Sequence, residues 1–169
     1  MKKILIFLIT GLFSIQSVYA LDYNVYIDEL PPWADYAENV MYESTKAWES
    51  ANPDLKFYEA SSPNYADFRV QWVKDFGGER VGYAYDSQLI EVGLGDSDCD
   101  GQWYPYSGHH VSEIMAHEIG HILGHEHDND PSSIMYPIAQ NLEYGLVEQK
   151  FTPEISSCFT ESVTIFFIF

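Results

Sequence analysis

The sequence predicts an α+β domain in which a small sheet carries two main helices. Three observations lead there. Short segments of alternating apolar and polar residues recur through the first half of the chain, at Asp22 to Asp28, Leu55 to Ala60, Ala66 to Lys74, Val81 to Tyr85 and Leu89 to Leu94. A stretch of helical periodicity from Trp33 to Ala51 lies between the first two and should pack on the sheet. A second helical stretch follows all the strands, with Val111, Met115, Ile119 and Ile122 as its core-facing stripe.

Each element has its own signals. The first strand turns Tyr23, Val25 and Ile27 to one face, and Pro31-Pro32 ends it. In the first helix Tyr36, Ala37, Val40, Met41, Ala47, Trp48 and Ala51 return at helical spacing until Asn52-Pro53 stops it. The segment from Ala66 to Lys74 sets Phe68, Val70 and Trp72 inward against Asp67, Arg69 and Gln71 outward. Gly77-Gly78 marks a loop, and glycines and acids take over after Leu94. Near the end, Thr152-Pro153-Glu154 has the chemistry of a helix start, with a capping hydroxyl and a proline in the first turn. The apolar run Val163 to Phe169 is either a strand added to the sheet or the buried end of that helix.

The first twenty residues read as an export signal. Lys2 and Lys3 precede an apolar run from Ile4 to Phe13, and Val18-Tyr19-Ala20 ends in the small-residue pattern a signal peptidase accepts. Residues 1–20 are expected to be removed, leaving 21–169 as a single domain, long enough for a proper core and too short for two. The apolar run is too short to span comfortably, and no other stretch reaches the roughly eighteen apolar residues of a membrane helix. A secreted, extracellular product is expected, with no membrane partner once the signal is cleaved.

The composition is 46% hydrophobic with 13 Tyr, 10 Phe and 4 Trp, which can fill a core and excludes general disorder. A formal charge of −18 repels phosphate backbones and anionic lipid, so nucleic acid is a poor partner. A strongly solvated acidic surface is the simplest reading of that charge; a basic substrate or bound calcium are the others. Cys99 and Cys158 would meet an oxidising compartment. Their pairing would close a long loop, worth about 4 kcal/mol in the chain-entropy account. Two buried thiols are the alternative.

Chemistry concentrates in His117-Glu118-Ile119-Gly120-His121-Ile122-Leu123-Gly124-His125-Glu126-His127, followed by Ser133-Ile134-Met135-Tyr136-Pro137. A four-residue helical step turns about 400° and rises about 6 Å, so His117 and His121 leave one face. A third ligand on the same straight helix would point away. Gly124 can take the left-handed conformation at a helix end and let His127 swing back, giving three imidazoles on one Zn²⁺ with an open fourth position. Adjacent helix residues diverge by about 100°, so Glu118 is placed to act on a water in that position and not to bind the metal. It is the general base, and its carboxyl can then protonate the leaving amine. His125 is the complication: it could replace His127 or join it and close the site. In that rival reading His125 or Asp128 fills the fourth position, and the zinc staples a binding module without turnover.

His-Glu-x-x-His-x-x-Gly-x-x-His followed by a methionine turn is the metzincin signature, and Ser-Ile-Met-Tyr-Pro resembles most closely the turn of the matrixins. The order of strand, helix, strands and site helix also matches a metzincin-like catalytic domain, which implies a small, mostly parallel twisted sheet with two main helices and an irregular C-terminal part after the site helix. The resemblance implies a zinc endopeptidase acting on a protein or peptide substrate in an extended groove, as a monomer, with Met135 packed beneath the zinc. It implies that Gly82-Tyr83-Ala84-Tyr85 is the edge strand that pairs with substrate, and that Pro137 to Asn141 line the pocket after the scissile bond. Two positions depart from the pattern. Asp128 after His127 is similar to the adamalysin branch, and Pro137 stands where astacins carry a metal-reaching tyrosine. Only His109 and His110 lie outside the motif, so the second, structural zinc of matrixins is not expected. The export signal runs almost directly into the first strand, so no counterpart of the matrixin propeptide is expected. Asp96, Asp98 and Asp100 before Gly101 resemble the opening of a calcium loop, but Ser107 stands where an EF-hand needs glutamate. A different Ca²⁺ cage and a plain acidic turn both remain open there.

Overall fold

Five of the alternating segments become one sheet. The computed structural model describes residues 21–77, 80–85, 88–98, 100–139 and 165–166. The strands are β1 (Leu21–Ile27), β2 (Leu55–Glu59), β3 (Phe68–Val73), β4 (Gly82–Tyr85) and β5 (Leu89–Gly93), in the spatial order β2-β1-β3-β5-β4. β1 pairs in parallel with both β2 and β3, and β3 in parallel with β5. Only β4, on the edge, runs antiparallel. The helix α1 (Val40–Ala51) carries the chain from the end of β1 back to the start of β2, which is what a parallel pair needs.

α1 starts later than the periodicity suggested. The residues before it form a separate tight turn, Asp35–Ala37, because that segment is pinned to the core. Ala34 and Ala37 are buried, and the Tyr36 hydroxyl donates to the Leu94 carbonyl at 2.8 Å. Burial, with help from the Asp35 charge, pushes the Tyr36 phenol up to about 12, so it stays protonated and keeps that bond.

After β5 the chain forms a hairpin of β6 (Gly95–Ser97) and β7 (Trp103–Pro105), which the sequence had shown only as a glycine-rich acidic stretch. Its turn uses Asp98 as an internal acceptor: Oδ1 receives the backbone N–H groups of Asp100 at 2.9 Å and Gln102 at 2.8 Å. Cys99 and Cys158 lie outside the described residues, as do residues 1–20 and Thr152-Pro153-Glu154. Of the apolar C-terminal run, Ile165–Phe166 forms β9, antiparallel to β8 (Ile138–Ala139) in a small sheet of its own. Those two residues are a strand, though not one added to the main sheet.

The site helix α2 (Gly108–Ile122) is where the layers meet. Ser107 caps its N-terminus, accepting the His110 N–H at 3.1 Å. Val111, Met115, Ile119 and Ile122 are buried as the stripe predicted, in one cluster with Phe68, Val70, Ile90 and Val92 of the sheet. Burial spreads further round the helix, to Ile114 and Glu118 where β4 lies against it and to His117, and α1 covers another side. Trp48 of α1 donates its indole N–H to the Ala116 carbonyl at 2.8 Å, and the Ser44 hydroxyl lies 2.9 Å from the Ser112 carbonyl. A helix held this firmly can place its side chains accurately. Ser107→Ala, which orphans an N-terminal donor of α2, is expected to cost about 1 kcal/mol, read as a lower midpoint in equilibrium denaturation at unchanged slope.

Candidate metal centre

The helix brings two imidazoles to one face and the turn after it brings the third. α2 ends in a Schellman arrangement: Gly124, at φ +85°, donates to the His121 carbonyl at 2.9 Å, and His125 donates to the Gly120 carbonyl at 2.9 Å. The conformation suits glycine and strains any other residue. The reversal carries His127 back over the helix. His117 Nε2 then lies 3.1 Å from His127 Nε2 and 3.2 Å from His121 Nε2. Tetrahedral zinc with bonds of about 2.0–2.1 Å would separate its nitrogen ligands by about 3.3 Å. The residues fit the metal.

The tautomers fit as well. His117 Nδ1 is 2.7 Å from the Ile134 carbonyl, and His121 Nδ1 is 2.9 Å from the His125 carbonyl. A carbonyl only accepts, so each Nδ1 carries the proton and each Nε2 turns a lone pair toward the others. Burial pushes the His117 ring down to about 3, its bond to Ile134 opposing, and burial also lowers His121 and His127. Three neutral rings are what a divalent cation needs.

Met135 is buried at 4% exposure, with its sulfur against the backbone of Gly120. A Cβ at Gly120 would overlap that sulfur and come within 2.8 Å of the Trp48 ring, so the helix is bare just before His121. The methionine turn is tied to the ligand loop by the Asp128 N–H, which donates to the Met135 carbonyl at 3.1 Å. Its preceding carbonyl, Ile134, orients His117. The turn therefore acts through its backbone as well as its sulfur.

Glu118 is 2% exposed, and no described protein group hydrogen-bonds its Oε1. Burial pushes its carboxyl up to about 8, with Arg80 pulling the other way. His125 goes elsewhere: its exposed ring stacks on Trp48 with centroids 5.0 Å apart and planes 19° from parallel. Among the described residues, His117, His121 and His127 form the only convergent group of three or more His, Cys, Asp or Glu donors. Neither His125 nor Asp128 joins it, nor do Asp96, Asp98 and Asp100 form a group of their own. The orienting carbonyls of Ile134 and His125 and the stack on Trp48 had no signature in the sequence, because spacing does not show where a carbonyl points.

Two imidazoles from a helix under the edge of an α+β sheet and a third from the turn after it, converging beside a buried carboxyl, are an arrangement of the metallohydrolase class. The chain belongs to the matrixin family, peptidase family M10, whose family model matches residues 17–151. The family implies zinc at the three histidines. The chain is 30% identical to karilysin of Tannerella forsythia over 132 residues, 69% of this chain and 27% of that protein. It is 28% identical to human matrix metalloproteinase-26 over 131 residues, 70% of this chain and 49% of that protein. It is 43% identical over 122 residues to a probable matrix metalloproteinase, 095L, of invertebrate iridescent virus 3, covering 64% and 33%. A solved structure of myroilysin matches 64% of this chain and 50% of that one, at 19% identity and a TM-score of 0.44. The chain thus spans half or less of the length of these curated relatives.

Isothermal titration of the metal-free protein is expected to give one zinc per chain. That stoichiometry survives His125→Ala, and His127→Ala loses the tight site.

Proposed function

We propose that the chain is a secreted zinc-dependent endopeptidase, with residues 1–20 directing export and 21–169 forming the catalytic domain. What carries the reading is the convergence of the His117, His121 and His127 Nε2 atoms next to the buried carboxyl of Glu118. Zinc, when bound, polarises a scissile carbonyl and makes a water acidic enough to be deprotonated near neutral pH. The rest of the chemistry falls to the chain. Glu118 takes the proton of the attacking water and hands it to the leaving amine. The carbonyls of Ile134 and His125 hold the ligand rings and keep their protons on Nδ1.

In this reading the substrate is a protein or peptide lying extended along β4. Val81 exchanges a ladder bond with Gly93 at 2.8 Å, and antiparallel pairs alternate, so Tyr83 and Tyr85 also face β5 with their backbone groups. The N–H and C=O groups of Gly82 and Ala84 then point outward. A peptide added at that edge would satisfy them while alternate side chains enter pockets, which tolerates many sequences. The enzyme acts as a monomer with one zinc, and the Asp96–Asp100 turn serves as a hairpin turn, Asp98 already holding two backbone donors.

Incubation of the protein with a denatured protein mixture, read by mass spectrometry, is expected to yield new peptide termini. They disappear with a chelator and return with zinc; no cleavage in any arm contradicts the reading. Glu118→Gln is expected to keep one zinc per chain and to lower kcat by about 10²–10⁴-fold. An active variant would remove Glu118 from the mechanism.

A further inference from the structure

No described group donates a hydrogen bond to the buried Oε1 of Glu118. The position of that oxygen is therefore set by the walls around it. The nearest wall is β4. A Cβ built on Gly82 would stand 2.5 Å from Oε1, 3.0 Å from the carboxyl carbon and 2.8 Å from a methyl of Ile114. Only hydrogen fits there.

The usual reasons for a glycine do not apply. Gly82 sits within a strand, where glycine is unfavourable in entropy and often marks a close approach. The described glycines with positive φ are Gly77, Gly101 and Gly124, so Gly82 is not needed for its backbone angles. The bulk of β4 is on its other face. Tyr83 and Tyr85 meet edge to face at 4.3 Å, and the Arg80 guanidinium lies 4.5 Å over the Tyr83 ring. On the face toward α2 stand only Gly82 and Ala84, the latter packed against the core. β4 is small where the helix is and large where it is not.

We propose that Gly82 is a positioning residue for Glu118. By withholding a side chain from that face, it leaves the slot the carboxyl fills, setting both the direction of the base and the spacing between β4 and α2. The inference rests on Glu118 being the general base. It adds that one backbone position couples the strand proposed to hold substrate to the group that moves the proton.

The test is Gly82→Ala in the full zinc-loaded chain, with two readouts. Steady-state kinetics on a cleaved peptide are expected to show kcat reduced about ten- to hundredfold, as for a base displaced by about an ångström, with KM within about threefold and one zinc retained. Disturbance of the substrate edge alone would raise KM instead and overturn the proposal, as would an unchanged kcat while Glu118→Gln is inactive. The second readout is independent of activity. The fall in Tm on Gly82→Ala is expected to be smaller in a Glu118→Ala background, where the carboxyl is gone, than in the native chain. Equal falls in both backgrounds mean the two residues do not touch and overturn it. If Gly82→Ala alone does not fold, recovery of a cooperative melt in the double variant supports the contact, and no recovery overturns it. An active Glu118→Gln would instead sink the general-base reading, whatever the two melts show.

Discussion

A straight helix can aim two imidazoles at a point, and the third has to come from a chain that has stopped being a helix. Everything at this centre depends on that reversal. The two Schellman bonds at Gly124 and His125 satisfy the helix's last carbonyls while turning the chain. The same turn then does a second task, because the His125 carbonyl orients His121 before the chain reaches His127. Ligand three and the orientation of ligand two come from one local conformation.

The remaining layers keep the helix still while the turn works. The sheet covers one side of α2, and α1 covers another through Trp48 and Ser44. Trp48 also stacks on His125, so one side chain braces both the middle of the helix and the turn that follows it. Met135 presses on Gly120 from the far side of the loop, and Ile134, one residue earlier, orients His117. His117 and His121 are thus each held at Nδ1 by a backbone carbonyl, which cannot be titrated away and adds no charge to the site.

Much of this was legible before any coordinates. The alternation in Phe68-Arg69-Val70-Gln71-Trp72 read its own faces, and the spacing of His117 and His121 placed both rings because helical periodicity is rigid. Gly124 and His127 were legible for a related reason: a glycine at that position has few other uses. Long-range features were not. Nothing in Gly82 announces that it faces Glu118, since the two are distant in sequence and meet only once β4 is docked beside α2. The start of α1 departs from the pattern because Tyr36 and Ala37 carry helical periodicity, yet tertiary contacts to Leu94 override it. The β6–β7 hairpin was hidden because glycine and aspartate are poor strand formers, and its stability comes from Asp98 and its turn.

The central claim is that this chain grips a metal with three histidine nitrogens and leaves the fourth direction to solvent. X-ray absorption spectroscopy of the zinc-loaded protein at the zinc edge reads this directly. The expected spectrum shows four light atoms bound at about 2.0–2.1 Å, with multiple scattering from three imidazoles and one oxygen from solvent. A fourth imidazole, a sulfur, or fewer than three rings would contradict it.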